Sequence, residues 1–472
     1  MGDFMDVLIV FPHQLFVKPK ENTMTIFVED QHYFDEDFKF HKQKLVLHRA
    51  SMKAYYESFE GSKEYFSYPI DRKALLHFCA QYNRMFAYYP NDYSLMKKYQ
   101  DFPIEYLEDP NFLTDLATIK SFFENRQKYY MHDFYVFQRN RLNLLMDNKK
   151  PLGGRYSFDT ENRHALPDSV SVPKQTSYHN GFVKDAIHWV EENFRSHPGT
   201  LQSFHYPIRR KEALKQLNAF VAEKLENYGP YQDALSEKDP FLFHSNLSSS
   251  LNIGLISPLE VVNKVKRSKA PIASKEGFIR QIIGWREFVR AVYILEGQSM
   301  IECNTLNFKN TLNTKWFESK TMIPILDKTL KKIEDFAYSH HIERLMVLGN
   351  FMFLMNIHPK EVYRYFMTMH IDAYEWVMIP NIFGMSQYAC GPLMTTKPYF
   401  SAANYLLKMG VPKDEWVYAW DALFYCFLDE HKALIEKNPR LSVLLRNLAR
   451  KPEQTMKDYK KTKRDLVDKL TN

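Results

Sequence analysis

The sequence predicts an α/β domain built on a parallel, Rossmann-like sheet, followed by an all-α domain. A chain of 472 residues is too long for one hydrophobic core. Short apolar runs alternate with helical stretches over roughly the first 130 residues, and apolar residues at helical spacing dominate later. The expected divisions are an α/β domain at 1–135, a linker with short helices at 136–204, a helical domain at 205–446 and a polar tail at 447–472.

Two β-branched runs predict the first strands. DVLIVF ends before Pro12, and MTIFVED (24–30) repeats the pattern. The helical stretch FHKQKLVLHRASMKAYYESFE separates MTIFVED from KEYFSYPI, and this alternation is typical of parallel sheets with crossover helices. Ligands of such sheets bind beyond the strand ends, here near Pro12 to Gln14 and Glu29 to Tyr33, although a plain structural role is equally open.

Helical signals follow in the rest of the chain. FFENRQKYYMHDFYVFQRNRLNLLM has apolar residues at helical spacing, which predicts one amphipathic helix. The connector NKKPLGGRYSFDTENRHALP leads to a short helix at AIHWVEENF, and RRKEALKQLNAFVAEKLENYG predicts a helix that ends at Gly229. The lysine-rich segment LARKPEQTMKDYKKTKRDLVDKL predicts a solvated terminal helix rather than a nucleic-acid-binding arm.

Two segments have the chemistry of an anion site. SNLSSSLN brings four serines and two asparagines to a helix start, where hydroxyls and free backbone N–H groups suit a phosphate, although helix capping explains them equally well. KEGFIRQIIGWREFVRAVY places Arg280, Trp285, Arg286 and Arg290 on a largely apolar helix. Buried arginines need anionic partners, so we expect a diphosphate or a carboxylate beside them.

Composition excludes several classes of protein. The formal charge of +7 permits a basic groove without requiring one, and no glycine-rich nucleotide loop is present. No apolar run is long enough to span a membrane, and the N-terminus lacks the features of a secretion signal, so a cytoplasmic protein without membrane contact is expected. Four distant cysteines without a CxxC motif are expected to be reduced, buried thiols, and no metal site is expected from them.

The segment 338–405 is dense in polar groups within otherwise apolar chain, which predicts a pocket. Its polar groups are the pair His340 and His341, Asp372, a predicted loop from Asn381 to Gln387, and the tyrosines Tyr399 and Tyr405.

Several motifs in one order resemble a known family. They are PLGGRYSFDTENRHALP, YGPYQDAL, FHSNLSSSLNIGLISPLEV, GFIRQIIGWREFVR, HHIERLMVLGNF, IDAYEW, GMSQYA and TTKPYFSAANYL. The chain resembles the deoxyribodipyrimidine photolyase-related proteins, the bacterial (6-4) photolyases and prokaryotic cryptochromes that usually carry an iron-sulfur cluster, from about residue 13 to about residue 446. The resemblance implies the photolyase/cryptochrome fold, with an N-terminal antenna domain and a helical domain that binds FAD.

The resemblance also implies a set of site residues. A 6,7-dimethyl-8-ribityllumazine antenna would lie near Pro12, Glu29 and Tyr33. The FAD would contact Tyr231, Ser245, Leu247, Ser248, Asn252, Glu276, Arg280, Trp285, Arg286, Arg344, Asp372, Met378 and Asn381.

The implied activity is that of a DNA (6-4) photolyase, a monomeric flavoprotein that uses blue light to reverse (6-4) pyrimidine-pyrimidone lesions in UV-damaged DNA. Repair needs a proton donor, and histidine has the side-chain pKa nearest neutrality. His340 and His341 match the family's histidine pair, with His341 as the expected donor, and Tyr399 and Tyr405 match its lesion-side tyrosines. Adjacent helical residues point about 100° apart, so one histidine is expected to face the lesion while the other braces a neighbouring helix.

Three departures from the family keep a second function open. The CxxC is missing, TMIPIL (321–326) has no cysteine and Tyr418 stands at the last ligand position, so no iron-sulfur cluster is expected. Met378 replaces the glutamate that relatives place beside the flavin. Tyr365 and Phe366 replace a Trp-Tyr pair, leaving an electron route through Trp316, Tyr365 and Trp376 unless these are packing residues. The alternatives are a cryptochrome-like blue-light or redox photoreceptor without repair activity, and a flavoprotein that binds nucleic acid but neither repairs nor signals.

Overall fold

Five parallel strands form the core of the N-terminal domain in the computed structural model, which describes residues 5–16, 20–236 and 238–472. The strands lie in the order β3-β2-β1-β4-β5, and β1 pairs with β2 on one side and with β4 on the other. The strand order therefore reverses between β1 and β4, which makes this the topological switch point of the sheet. Open α/β sheets bind ligands at such a point, beyond the carboxyl ends of the strands. The five strands are Asp6–Val10 (β1), Thr23–Val28 (β2), Lys63–Phe66 (β3), Met85–Tyr88 (β4) and Ile104–Leu107 (β5). A small antiparallel hairpin follows at Met146–Asp147 (β6) and Lys150–Pro151 (β7).

Helices cover the sheet and lead into the second domain. The first six are Lys42–Ser58 (α1), Arg72–Cys79 (α2), Tyr93–Lys98 (α3), Leu116–Phe123 (α4), Met131–Arg141 (α5) and Gly181–Asn193 (α6). The prediction of a single amphipathic helix from FFENRQKYYM onward is wrong, because two separate helices, α4 and α5, form there. Asn125, between them, adopts a positive φ of 59°. Helix α5 also runs across residue 135, the expected end of the α/β domain.

The second domain is helical throughout, as predicted. Its helices are Arg210–Ala219 (α7), Leu225–Tyr228 (α8), Ser248–Asn252 (α9), Pro258–Lys266 (α10), Ile272–Ile279 (α11), Glu287–Met300 (α12), Pro324–Phe336 (α13), Asn350–Leu354 (α14), Pro359–Met369 (α15), Glu375–Ile379 (α16), Asn404–Lys408 (α17), Trp416–Glu430 (α18), Lys432–Glu436 (α19), Ser442–Ala449 (α20) and Glu453–Leu470 (α21).

Four π-helical segments interrupt or join these helices. They are Phe220–Lys224 (π1), Arg280–Arg286 (π2), Glu343–Gly349 (π3) and Pro380–Ser386 (π4). Such wide turns are rare and are frequently found at functional sites. The predicted loop from Asn381 to Gln387 is wrong, because most of it forms π4 as a continuation of α16.

The last helix is more than a solvated tail. Tyr459, Leu466 and Leu470 of α21 are buried, and the backbone carbonyl of Leu470 accepts a hydrogen bond from the indole of Trp316 at 2.9 Å. The expectation of a wholly solvated helix is therefore wrong, since one face of α21 packs against α18. Within the described residues, no helix is long and apolar enough to cross a membrane. The first four residues of the N-terminal stretch, where no secretion signal is expected, lie outside the described residues.

The cysteines are not all free. Cys303, just after α12, forms a disulfide with Cys390, just after π4, whereas Cys79 and Cys426 are buried free thiols. The expectation of four reduced thiols is wrong for the first pair, because packing of α12 against π4 joins cysteines that are separated by 87 residues in sequence.

Candidate functional site

A cavity of about 350 Å³ lies at the centre of the helical domain. Three of the π-helical segments, π2, π3 and π4, contribute to its walls, together with α9, α16 and the turn before α9. The volume lies in the range of small-molecule sites. The predicted residues that line it are Ser245, Leu247, Ser248, Asn252, Trp285, Arg286, His340, His341, Arg344, Asp372, Trp376, Met378 and Asn381.

Three predicted cofactor residues lie outside the cavity wall. The carboxylate of Glu276 is fully buried, where it accepts hydrogen bonds from the Tyr135 hydroxyl at 2.8 Å and from the Phe158 amide at 2.9 Å. Arg280 forms ion pairs with Glu276 and Asp159. Tyr231 packs against Phe243 in a tilted arrangement, with ring centroids 5.8 Å apart, and precedes the lining residues Gln232 and Asp233. Glu276 and Arg280 thus join α11 and π2 to α5 and the linker.

One side of the cavity is built for an anion. Nε and Nη2 of Arg286 have no hydrogen-bond partner among the described residues, while Nη1 donates to the Asn111 carbonyl at 2.8 Å. Burial lowers the pKa of Arg286 to about 10. The side-chain amide of Asn246, also in the wall, is equally unpartnered within the described part of the chain. Buried donors of this kind are stabilised by a phosphate or another anion.

A partly buried ion pair forms another part of the cavity wall. Arg344 on π3 lies 3.0 Å from a carboxylate oxygen of Asp372, and its Nε donates to the Ser339 carbonyl at 2.8 Å. The backbone carbonyl of Asp372 accepts a hydrogen bond from Asn252 at 3.0 Å. These bonds hold α9, π3 and the segment before α16 together around the cavity.

The two histidines at the start of π3 have different surroundings. His341 lines the cavity and is exposed in it, whereas His340 is only 3% exposed. Desolvation by the cavity walls and the positive charge of Arg344 lower the pKa of His341 to about 4. The ring of His340 stacks on His244, with centroids 4.8 Å apart. Of the two, His341 is therefore the one that exposes its ring to a ligand in the cavity.

Tyr399 and Tyr405 do not line the cavity wall. Both are partly buried, and burial together with the negative charge of Asp159 raises their pKa, to about 12 for Tyr405. The neighbouring Asp233, which does line the cavity, also raises the pKa of Tyr405. Tyr405 thus lies near the cavity residue Asp233, and both phenols lie near Asp159.

The predicted electron route is only partly continuous. Trp376 lines the cavity and packs edge-on against Phe112 at 5.0 Å. Tyr365 contacts the cavity residue Phe366 at 5.8 Å, but its buried hydroxyl has no hydrogen-bond partner in the described residues. Trp316 is fully buried and packs on Phe351 rather than on Tyr365, although Phe317, the residue that follows it, contacts Tyr365 at 5.3 Å.

A second cavity, of about 570 Å³, lies at the sheet's switch point, between the two domains. Tyr33 lines it, whereas Pro12 and Glu29 do not. Glu29 is fully engaged inside the α/β domain by Arg49, the Tyr65 hydroxyl and the Tyr68 amide. Helix α16 separates the two cavities, because Glu375 faces the second one and the next three residues face the first.

Charged groups dominate the second cavity. Although burial opposes the charge, the carboxylates of Asp92 and Asp37 raise the pKa of His32 to about 9. Burial lowers the pKa of Lys44 to about 7, and burial with the negative charge of Asp92 raises the pKa of Glu375 to about 7. Both signs of charge are therefore available to a polar ligand.

One group of side chains has the spacing of metal ligands. Among the described residues, His32, Glu36 and Asp37 are the three that come close enough together. The ammonium group of Lys98 already contacts both carboxylates and the His32 ring. A lysine thus neutralises this group as a metal ion would.

Sequence reasoning missed several cavity residues. The largest omissions are Tyr228, His244, Phe278, Gln281, Tyr338 and Ser386. His244 had an available signal, because it directly precedes the SNLSSSLN motif. The missed residues on π2 and π4, Gln281 and Ser386, had no such signal. A π-helical turn changes which residues share a face of the helix, so helical spacing in the sequence does not identify them.

Comparisons with known proteins agree with this architecture. Residues 8–206 match the model of the family described as deoxyribodipyrimidine photo-lyase-related protein. A (6-4) photolyase of Agrobacterium fabrum is 34% identical over 383 residues, which cover 78% of this chain and 76% of that protein. A class III photolyase of Agrobacterium tumefaciens superposes with a TM-score of 0.57 at 16% identity, covering 99% of this chain and 97% of the other. An archaeal photolyase of Sulfolobus tokodaii, crystallised with two FAD molecules, gives a TM-score of 0.53 at 16% identity over 82% and 83% of the two chains.

Proposed function

Because this chain belongs to the deoxyribodipyrimidine photolyase-related family, we propose that it is a light-dependent DNA repair enzyme that reverses (6-4) photoproducts. The family membership rests on the similarity to the Agrobacterium fabrum (6-4) photolyase over most of both chains. The observation that carries the proposal is the cavity in which one exposed histidine, His341, faces a space lined by unpartnered anion-binding groups. Its substrate would be a lesion flipped out of UV-damaged DNA, which is easier for a poorly stacked base.

The cavity residues fit FAD. The orphaned donors of Arg286 and Asn246 would bind its pyrophosphate, with Ser245 and Ser248 beside them. Arg344, Asp372, Met378 and Asn381 would contact the flavin ring, and Trp285 the remainder of the cofactor. Reduced FAD would supply an electron to the lesion after absorbing blue light and would recover it afterwards. Glu276 and Arg280 would act indirectly, by holding π2 in place.

The protein's own residues would handle the proton. His341 would donate a proton to the lesion and take it back when repair is complete, so the protein would end each cycle unchanged. A neutral His341 cannot donate, and its pKa of about 4 in the free protein means that bound DNA must raise its basicity. The lesion's phosphates provide the negative charge for this. His340 would brace the turn below, and Tyr399 and Tyr405 would contact the lesion from the side of Asp233.

The second cavity would hold an antenna chromophore, with 6,7-dimethyl-8-ribityllumazine as the candidate. Tyr33 and Tyr374 offer aromatic faces, and Lys44, Asp92 and Glu375 offer polar contacts to a heterocycle with a ribityl chain. Its separation from the FAD cavity by the single helix α16 is favourable for energy transfer. Titrating the refolded or purified protein with the lumazine, and following fluorescence quenching, tests this assignment.

We also propose that this chain has no iron-sulfur cluster. Cys303 and Cys390 are bonded to each other, and Cys79 lies in the α/β domain far from Cys426 in sequence. Helix α18 carries Tyr418 where relatives have a ligand. Iron in a metal assay of anaerobically purified protein would refute this.

A second candidate function is a photoreceptor without repair activity. It is favoured by Met378 in the cavity wall, because a thioether is a weak acceptor that cannot carry a proton. It is also favoured by Phe366 and Tyr365 on the electron route, since the Tyr365 hydroxyl has no hydrogen-bond partner among the described residues.

The deciding experiment uses an oligonucleotide with one (6-4) photoproduct, reduced holoprotein and blue light. Loss of the lesion in light but not in darkness is expected, and His341→Ala should slow repair by at least about a hundredfold while FAD absorbance stays intact. Tyr418→Phe, at an exposed position outside the cavity lining, is the control variant. A holoprotein that binds lesion DNA but never repairs it would favour the photoreceptor.

A further inference from the structure

We propose that His244 is a positioning residue, whose stacked ring holds His340 in its neutral form and so leaves His341 as the histidine of the pair that carries the proton. This inference rests on the proposed repair function and identifies a third histidine of the same site. It starts from the stack of the two rings, whose centroids are 4.8 Å apart with an angle of 28° between their planes.

The hydrogen bonds of His340 fix its tautomer. Its Nδ1 accepts a hydrogen bond from the backbone N–H of Ile342 at 3.3 Å, at the start of π3. An acceptor nitrogen carries no proton, so the neutral ring is protonated at Nε2. Charging His340 would require a proton on Nδ1 and would break the bond to Ile342.

The surroundings of the stack also oppose a second proton. Nε2 of both His244 and His340 is buried and has no hydrogen-bond partner in the described structure. Lys332, Lys224 and Arg344 place positive charge around the two rings. The opposing carboxylate is that of Glu343, whose Oε2 lies 3.7 Å from Nε2 of His340. The same oxygen is already bound by Lys332 at 2.7 Å and by the His340 amide at 2.9 Å.

The turn that carries His244 is held in a constrained shape. Leu242 and Asn246, on either side of it, adopt positive φ angles of 45° and 53°, which cost energy for residues other than glycine. Tyr228 packs edge-on against the His244 ring at 6.0 Å. The ring is therefore fixed against His340 by the fold and fills space that water would otherwise enter.

The two adjacent histidines, His340 and His341, therefore have different roles. Two imidazoles that compete for one proton would share it, and a proton on His340 would repel one on His341. Because His340 is stacked, desolvated and committed to Ile342, His341 alone can take up the proton that lesion DNA induces. His244 acts through His340 and does not need to touch the lesion.

The test compares full-length, FAD-bound wild type with His244→Phe, which keeps a stacked ring without a titratable group, and His244→Ala, which removes the ring. Protein labelled with ¹⁵N in histidine is titrated by NMR from about pH 5 to about pH 8, with His340 assigned by its absence in His340→Gln. Single-turnover repair of the lesion oligonucleotide is measured on the same samples.

In wild type and His244→Phe, His340 should remain the neutral Nε2–H tautomer throughout the titration. In His244→Ala, His340 should titrate at a higher pH, and repair near neutrality should fall about tenfold. An unchanged His340 in His244→Ala, a charged His340 in wild type, or a shift in His244→Phe as large as in His244→Ala would each overturn the inference. Because the NMR arm needs no repair, the correct tautomers in a protein that repairs nothing would contradict the proposed function alone.

Discussion

Binding of lesion DNA should be coupled to protonation of His341. With a pKa of about 4, the free protein carries the proton in only about one molecule in a thousand at pH 7. A phosphate about 5 Å from the ring would stabilise the imidazolium by about 3 kcal/mol at an effective dielectric constant of about 20. That energy corresponds to roughly a hundredfold gain in the proton-binding constant.

The sign of the effect follows from linkage. Binding raises the pKa of His341, so the extra affinity is complete below pH 4 and is lost as the pH rises through the pKa in the complex. Between about pH 5 and pH 7, the Kd of wild type for lesion DNA should therefore rise about tenfold, on top of any change shared with undamaged DNA. The rise should be smaller at high salt, which screens the phosphate.

Fluorescence anisotropy in darkness measures this directly with lesion and undamaged oligonucleotides. His341→Gln keeps a polar side chain but cannot be charged, so its lesion Kd should lack the extra rise. The reasoning is refuted if wild type and His341→Gln show the same pH dependence, because the proton would then be held elsewhere.

Three further predictions concern the cavity and its supports. Asp372→Asn leaves the partly buried Arg344 without its counter-charge, so it should lower stability by about 3 kcal/mol and cause loss of FAD on gel filtration, whereas an unchanged flavin content would contradict the pairing. Met378→Glu places a carboxylate in the cavity wall beside the proposed flavin site and should lower the reduction potential of bound FAD by on the order of 30–60 mV in a dye-coupled titration, with Met378→Leu unchanged as its control. Cys303→Ser removes the disulfide to Cys390 and should lower the free energy of unfolding by about 2–4 kcal/mol, which scanning calorimetry should detect as a lower Tm. A reductant should lower the Tm of wild type by the same amount and should not change that of the variant.

The sequence predicted the elements whose pattern is local. The β-branched runs at β1 and β2 lie where the periodicity places them, and the predicted change from alternating strands to helices matches the order of sheet and helical bulk along the chain. The break at Asn125 was not predicted, because the apolar spacing continues through it although the backbone does not. The disulfide was not predicted either, since it depends on the packing of α12 against π4 and leaves no trace in the spacing of Cys303 and Cys390.

The same distinction explains which site residues were found. His341, Arg344 and Asp372 lie in the cavity because they belong to short motifs whose local geometry a resemblance transfers well. Glu276 belongs to such a motif too, but its neighbours Tyr135 and Phe158 come from another part of the chain, and their hydrogen bonds turn it away from the cavity. A motif thus fixes the position of a residue in the sequence, whereas the contacts of that residue depend on the other segments that pack against it. The proposed function divides in the same way: its lesion side would depend on the adjacent histidines, and its flavin side on how Met378 and Phe366 shape a wall assembled from distant segments. Measurements on the flavin should therefore discriminate repair from sensing better than substitutions in the histidine motif.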